Sequence, residues 1–240
     1  MKTHPTYLRL QSWSRIAGIL YLIVIAGGIF SEVFVRQRML IRGDALATAQ
    51  YILEHETLFR SGFAITLFYL LCNIPLLFIF HEIFKNTHKP LVKMMVFFFL
   101  TGNTIEIVNM LNHFLPLNYL KTGAALEGLG EAGAASMAYM SLINFNTGFG
   151  ISLVFFGCYC ILIGFLIYKS RYLPHLIGIL MGLGGICYIM NSFTIFLIPD
   201  FAKHLFPYIL LPCFIAELSF ASWLVFKRIS LPPSANELKK

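Results

Sequence analysis

Apolar residues in this chain come in long runs, with the polar residues gathered between them. Six runs stand out, at residues 15–35, 59–84, 93–115, 143–168, 172–198 and 206–226. A bilayer core is ~30 Å thick and takes ~20 helical residues to cross. Each run reaches that length. Lipid offers the backbone no hydrogen-bond partner, so a spanning run must satisfy its own amides as a helix. The pattern predicts an all-α, polytopic membrane protein built as a six-transmembrane-helix bundle. Residues 1–13 read as a polar lead, 14–228 as a single membrane domain and 229–240 as a disordered tail.

The connections carry their own signals. Residues 86–93 form a tight turn around Pro90, and residues 169–174 are so few that the fourth and fifth helices must be antiparallel neighbours. Residues 117–142 are the longest loop, rich in Gly and Ala, with helix resuming from Ala132 onward and lengthening the fourth span. After the first run, Asp44 is placed to cap a short helix. Leu46, Ala49, Ile52 and Leu53 recur there at helical spacing, which suits a helix lying along the membrane interface. Pro75 and Pro212 fall inside the second and sixth runs, and each predicts a kink. Gly178 and Gly182 form a small-xxx-small patch for close helix packing, within the chain or in a homo-oligomer.

Composition supports the same class. Hydrophobic residues make up 58% of the chain and charged residues 12%. A soluble domain carries roughly 25% charged residues, so this chain cannot cover itself with an ordinary water-facing surface. The net charge of +7 would suit nucleic acid, but the charges sit at the ends of apolar runs, and no nucleic-acid partner is expected. With the N-terminus cytoplasmic, that side carries Lys2, Arg9, Arg15, Lys85, Lys89, Lys93, Lys169, Arg171, Lys227, Arg228, Lys239 and Lys240. The other side carries Arg36, Arg38, Arg42, Arg60, Lys121 and Lys203. Twelve against six follows the positive-inside rule with both termini cytoplasmic. The cluster Arg36, Arg38 and Arg42 runs against that rule, as a local oddity or as a site for anionic groups. The first run is longer than a signal-peptide core and leads straight into Glu32 and Arg36, so it reads as a retained span. All five cysteines lie within apolar runs, and Cys158 and Cys160 point about 200° apart on a helix, which suits packing rather than a metal.

The unusual residues are ionisable groups inside the runs, which are costly in lipid and turn toward the bundle interior. Glu32 lies near the outer end of the first span, and Glu106 and Glu217 lie near mid-membrane on the third and sixth. On the third run Gly102, Asn103, Glu106, Asn109, Met110 and His113 share a sector of about 120°, opposite Phe97, Phe98, Leu100, Ile107 and Leu111. That polar stripe should face inward. Asn73, Asn146, Asn191 and Ser192 add polar groups at related depths.

Three readings fit this set. Buried Asn and Glu groups hold the bundle together by hydrogen bonds. Or they line a polar cavity open to the outer side, with Glu32, Arg36 and Arg60 near its mouth, Glu106 and Glu217 at its floor and His113 on its wall. Or they form a catalytic or metal site. A zinc site takes three or four protein ligands; only Glu106 and His113 share a face here, so no metal and no cofactor are expected. Glu32 and Arg36 are four apart and face the same way. Arg60 snorkels at the start of the second run or pairs with Glu32. His81-Glu82 lacks a second His four residues on and is a solvated helix end rather than a zinc-protease motif. No Walker A loop, GxSxG elbow or HExxH motif is present.

Several stretches, in order, resemble the bacterial membrane family named domain of unknown function 4386. They are Arg15-Ile-Ala-Gly-Ile-Leu-Tyr-Leu22, Ser31-Glu-Val-Phe-Val-Arg36, Gly43-Asp-Ala with Ala47-Thr48, and Leu58-Phe-Arg60. A second block runs from Leu153-Val-Phe-Phe-Gly157 through Gly164-Phe-Leu-Ile-Tyr-Lys-Ser170 and Tyr172-Leu-Pro174, with Gly178, Gly185, Tyr188 and Glu217. The resemblance covers residues 14–226 and implies a six-helix protein of the bacterial inner membrane with no established activity. It also implies counterparts of Glu32, Arg36, Arg60 and Glu217. Where many relatives carry His shortly after the Phe-Phe-Gly, this chain has Tyr159.

The expectation is therefore a membrane protein that binds or moves a small polar or amphipathic ligand, a lipid or another small molecule, in an outward-facing pocket. Its lining would be Glu32, Arg36, Arg60, Asn73, Asn103, Glu106, Asn109, His113, Asn191 and Glu217. A membrane-embedded lipid-modifying enzyme and a structural or regulatory membrane partner are the alternatives.

Overall fold

The protein is seen here in a computed structural model that describes residues 5–121, 128, 130–227 and 229. Helix α1 spans Pro5–Ile29 and runs on through a π-helical stretch, Phe30–Arg36, into a last turn, Gln37–Met39. The short α2 (Ala45–Glu54) follows, then the long α3 (Glu56–Phe84), α4 (Lys89–Lys121), α5 (Gly130–Ser170) and α6 (His175–Leu197). A seven-residue α7 (Pro199–Leu205) and a 3-10 turn, Tyr208–Leu210, lead into α8 (Leu211–Phe226). The described residues hold no strand. Six helices are long and apolar enough to cross a membrane, and the protein is a multi-pass, all-α membrane protein.

Most of the elements match the sequence pattern; two differ for clear reasons. The 117–142 loop shrinks to a short connection, because α4 runs to Lys121 and α5 begins at Gly130. Alanine is the best helix former, and Ala135 and Ala138 are buried, so propensity and packing both extend α5 to 41 residues. Pro212 lies in the first turn of α8, where its missing N–H has no intrahelical partner to lose, so it starts a helix instead of kinking one. Pro75 does sit inside α3, and Pro116 sits inside α4. Within the loop, residues 122–127 and 129 lie outside the described residues, as does the tail from residue 230. Ile229, assigned to that tail, is buried in the main core.

Asp44 caps α2 as its position suggests, its Oδ1 accepting from the Ala47 N–H at 2.9 Å. The buried face of α2 is Thr48, Ala49 and Ile52, while Leu46 and Leu53 remain exposed. Helix α2 rests mainly against α5.

The six long helices close into a ring. Each packs on its neighbour in the order α1, α3, α4, α5, α6 and α8, and α8 returns to α1. One half of the ring, beside the α3–α4 turn, is filled by a single apolar cluster that includes Phe80, Phe84, Met95, Ile163, Met181 and Phe220. Beneath α2 at the other end lies a smaller cluster of Val35, Met39, Ile52, Phe59, Leu117 and Leu142. Between these two lies a belt of polar residues that includes Tyr69, Asn73, Asn103, Glu106 and Asn109.

The α5–α6 contact depends on glycine. A Cβ on Gly178 would stand 2.6 Å from the Gly164 carbonyl oxygen, and one on Gly185 would stand 2.5 Å from that of Gly157. Helix backbones touch directly there, so Gly178 serves packing inside one chain. A Cβ on Gly182 would meet nothing within 4 Å. Gly178→Ala and Gly185→Ala should each lower stability by about 1–3 kcal/mol, the usual cost of overpacking, while Gly182→Ala stays near neutral; thermal melts of the detergent-purified protein would check the contrast.

Candidate functional site

The π-helical end of α1 sets up the polar belt. Extra backbone turns of this type are often found at functional sites. This one is pinned to α3: Thr66 donates to Ser31 Oγ at 2.8 Å, and Val35 fills the space over Gly62, where a Cβ would come within 2.6 Å of it. Ser31 and Val35 are wholly buried. The same stretch carries Glu32 and Arg36, whose spacing makes the expected ion pair, Arg36 Nη2 to Glu32 Oε2 at 2.8 Å.

Arg36 is the most unusual side chain in the molecule. Only 9% of it is exposed. Its guanidinium lies over the rings of Phe149 and Phe145, 4.3 and 5.1 Å from their centres, a favourable cation–π geometry. Its Nε and Nη1 are buried and have no hydrogen-bond partner. The Tyr69 hydroxyl gives its proton to Glu106 Oε1, 2.6 Å away, and its oxygen lies within hydrogen-bonding reach of the guanidinium. Glu32, Arg36, Tyr69 and Glu106 thus form one electrostatic group joining α1, α3 and α4. The side chain of Glu32 is 29% exposed, so the group reaches the protein surface.

The inward stripe of α4 is present. Gly102, Asn103, Asn109, Met110 and His113 are buried, whereas Phe97, Leu100 and Leu111 point outward. Asn73 Nδ2 donates to Asn103 Oδ1 at 2.9 Å. Asn109 donates to the Phe145 carbonyl at 2.7 Å and accepts from Asn112 at 2.9 Å. Gly148 makes room for that amide, since a Cβ there would lie 2.4 Å from Asn109 Oδ1. His113 sits among the rings of Phe59, Phe63 and Phe145, its Nε2 3.3 Å from the Phe59 carbonyl oxygen. Glu106 and His113 therefore hold separate partners and are not joined as an acid–base pair. A recess of about 10 Å³ lies between Arg36, His113, Asn146 and the apolar residues Val35, Phe59 and Phe145. That is room for about one water or one ligand heteroatom.

Glu217 belongs to a different cluster. It accepts from the Tyr188 hydroxyl at 2.8 Å, and Tyr21, Tyr159, Cys160 and Cys213 surround it electrostatically. The Tyr21 hydroxyl is buried there without a partner. Glu106 and Glu217 take different donors and share no hydrogen-bonding residue. Asn191 and Ser192 are buried on α6, and Ser192 Oγ has no partner.

Of the two expectations for Arg60, an exposed head at the helix start and a pair with Glu32, the structure has the first and not the second. Arg60 bonds Glu56 at 2.7 Å, not Glu32, and Lys121 reaches the same carboxylate. Glu56 lies one turn before Arg60 on the same helix, and this exposed network sits outside the polar belt. Sequence reasoning missed the roles of Tyr69 and Tyr188, since a tyrosine in an apolar run looks like another core ring; their signal is the need of each buried Glu for a donor. Among the described residues no three His, Cys, Asp or Glu side chains gather as a metal site.

The family model described as "Domain of unknown function (DUF4386)" matches residues 16–227. A curated relative, an "Uncharacterized protein" of Archaeoglobus fulgidus, is 34% identical over 86 residues, which is 36% of this chain and 49% of that protein. The chain thus spans about half the length of that relative. No solved structure matches.

Tyr69→Phe and Tyr188→Phe should each cost about 1–3 kcal/mol, because a buried carboxyl loses its donor. Arg60→Gln, on an exposed network, should change stability by less than about 1 kcal/mol. Thermal or chemical unfolding of the three variants in one detergent checks the order.

Proposed function

The chain belongs to the DUF4386 family, whose description names no activity, and we propose that this member binds a small polar or amphipathic ligand at Arg36, from the α2 end of the bundle. The observation that carries the reading is a buried guanidinium with two unpartnered donors beside a heteroatom-sized recess. An unmade hydrogen bond from a buried donor costs roughly 1–3 kcal/mol, so an oxygen-bearing group gains by entering. The recess admits one such group. The rest of the ligand lies outward past the exposed Asn146 and the half-exposed Glu32. The apolar cluster filling the opposite half of the ring favours binding from one side over an open pore. On this reading the α2 end faces outward in a bacterial inner membrane, with both termini cytoplasmic.

The structural alternative also has an observation in its favour: Glu106, Glu217, Asn73 and Asn109 are each satisfied inside the protein. Small-molecule and lipid mass spectrometry of the purified protein separates the two. The binding reading expects one compound enriched at least about tenfold, roughly 1.4 kcal/mol of affinity, over an Arg36→Met variant of equal folded yield. If no compound differs and a density map shows only water at Nε and Nη1, the polar belt is structural. Orientation is checked by labelling intact cells with a membrane-impermeant maleimide: Gln50→Cys on α2 should react, and Asn86→Cys in the α3–α4 turn should not.

A further inference from the structure

The opposite end of the bundle carries a second, unrelated feature. An open recess of about 210 Å³ lies at the α3–α4 turn, lined by His81, Lys85, Asn86, Lys89, Val92 and Lys93. Lys85 and the His81 ring both approach Glu82, at 2.7 and 3.4 Å. Lys89 and Lys93 have no carboxylate partner among the described residues. Glu82 is the one carboxylate among the described residues at this end of the ring, where Lys85, Lys89, Lys93, Lys169, Arg171 and Lys227 also lie. The recess thus holds more positive charge than the protein itself balances.

Its depth and surroundings narrow the partner. The recess sits where two spanning helices end, the level of lipid headgroups. Trp13, a residue type typical of that level, packs on Phe78 at 5.8 Å beside it. From each lysine a stripe runs toward mid-membrane at helical spacing: Lys89, Lys93 and Phe97 on α4, and Lys85, His81 and Phe78 on α3. Phe97 and Phe78 are among the most exposed rings in the protein, at 69% and 57%. We propose that this recess is a binding site for the phosphate of an anionic phospholipid, held by Lys85, Lys89 and Lys93, with an acyl chain lying along Phe78 and Phe97. A basic pocket between spanning helices suits such a headgroup. The site is distant from Arg36 and independent of what binds there.

The test uses the full chain in detergent, titrated separately with phosphatidylglycerol, phosphatidylcholine and inorganic phosphate, read by thermal shift and by native mass spectrometry. Phosphatidylglycerol should stabilise the protein and remain bound, phosphatidylcholine less so, and inorganic phosphate should have no effect at the same phosphorus concentration. Each Lys→Gln change at 85, 89 or 93 should weaken half-saturation about fivefold. Lys169→Gln, at the same end but outside the recess, should leave it unchanged. If inorganic phosphate stabilises as well as the lipid does, and the same lysines control it, the lipid assignment is overturned in favour of a soluble phosphate. If Lys169→Gln weakens binding as much as the recess lysines do, or none of them matters, there is no site at the recess.

Discussion

Lipid cannot hydrogen-bond, and the interior of this bundle is arranged around that constraint. Every polar group within a span must find a partner inside the protein or turn to an edge where water reaches it. The two mid-span carboxylates follow this rule in the same way: Glu106 takes the Tyr69 hydroxyl and Glu217 takes that of Tyr188. A tyrosine is well suited to the role because its ring packs as an apolar residue and only its tip is polar. The asparagines pair with each other or with a backbone carbonyl. These bonds link neighbouring helices, so the same groups that are costly to bury also set which faces meet.

The remaining packing divides the ring by depth. Where α3 and α4 turn, large apolar side chains from all six long helices meet, and Glu217 lies against this cluster beside Tyr21, Tyr159 and Cys160. Further toward α2 the small residues Gly62, Gly102 and Gly148 take over, each facing a neighbour too close for a Cβ to fit without displacement. Closer approach of helices shortens the reach needed for short side chains such as Ser31, Thr66 and Asn109 to bond across. The polar belt therefore depends on glycine as well as on polar residues.

Much of this was legible in the sequence. The six spans followed from run length, the α2 cap from Asp44, the inward stripe of α4 from 100° spacing, and the Glu32–Arg36 pair from a separation of four. All of these are local in the chain. What sequence could not supply is which distant residues meet. Arg60 could snorkel or pair with Glu32, because both were charged and near one membrane face; a closer carboxylate, Glu56, lay one turn away on Arg60's own helix. Glu106 and Glu217 looked like one floor because both were at mid-depth; the ring order places them with different neighbours. Pro212 was misread because the start of α8 is set by the preceding 3-10 turn, which run length does not mark.

Among the described residues, Arg36 is the one charged side chain that breaks the rule of internal satisfaction, beside the hydroxyls of Tyr21, Thr87 and Ser192. Its ion pair with Glu32 and the two rings beneath it offset part of the cost of burying a charge; a cation–π contact contributes about 0.5–2 kcal/mol. Neither supplies an acceptor for Nε or Nη1. Two unmade bonds at roughly 1–3 kcal/mol each are a large fraction of the 5–15 kcal/mol that holds a typical protein folded. A Met at this position would fill similar space without that penalty. The same helix ends with Arg38 exposed, so a cation at this membrane level has a cheaper place to be. The guanidinium thus combines a buried charge, two donors without an acceptor inside the chain and a neighbouring recess of one-atom size.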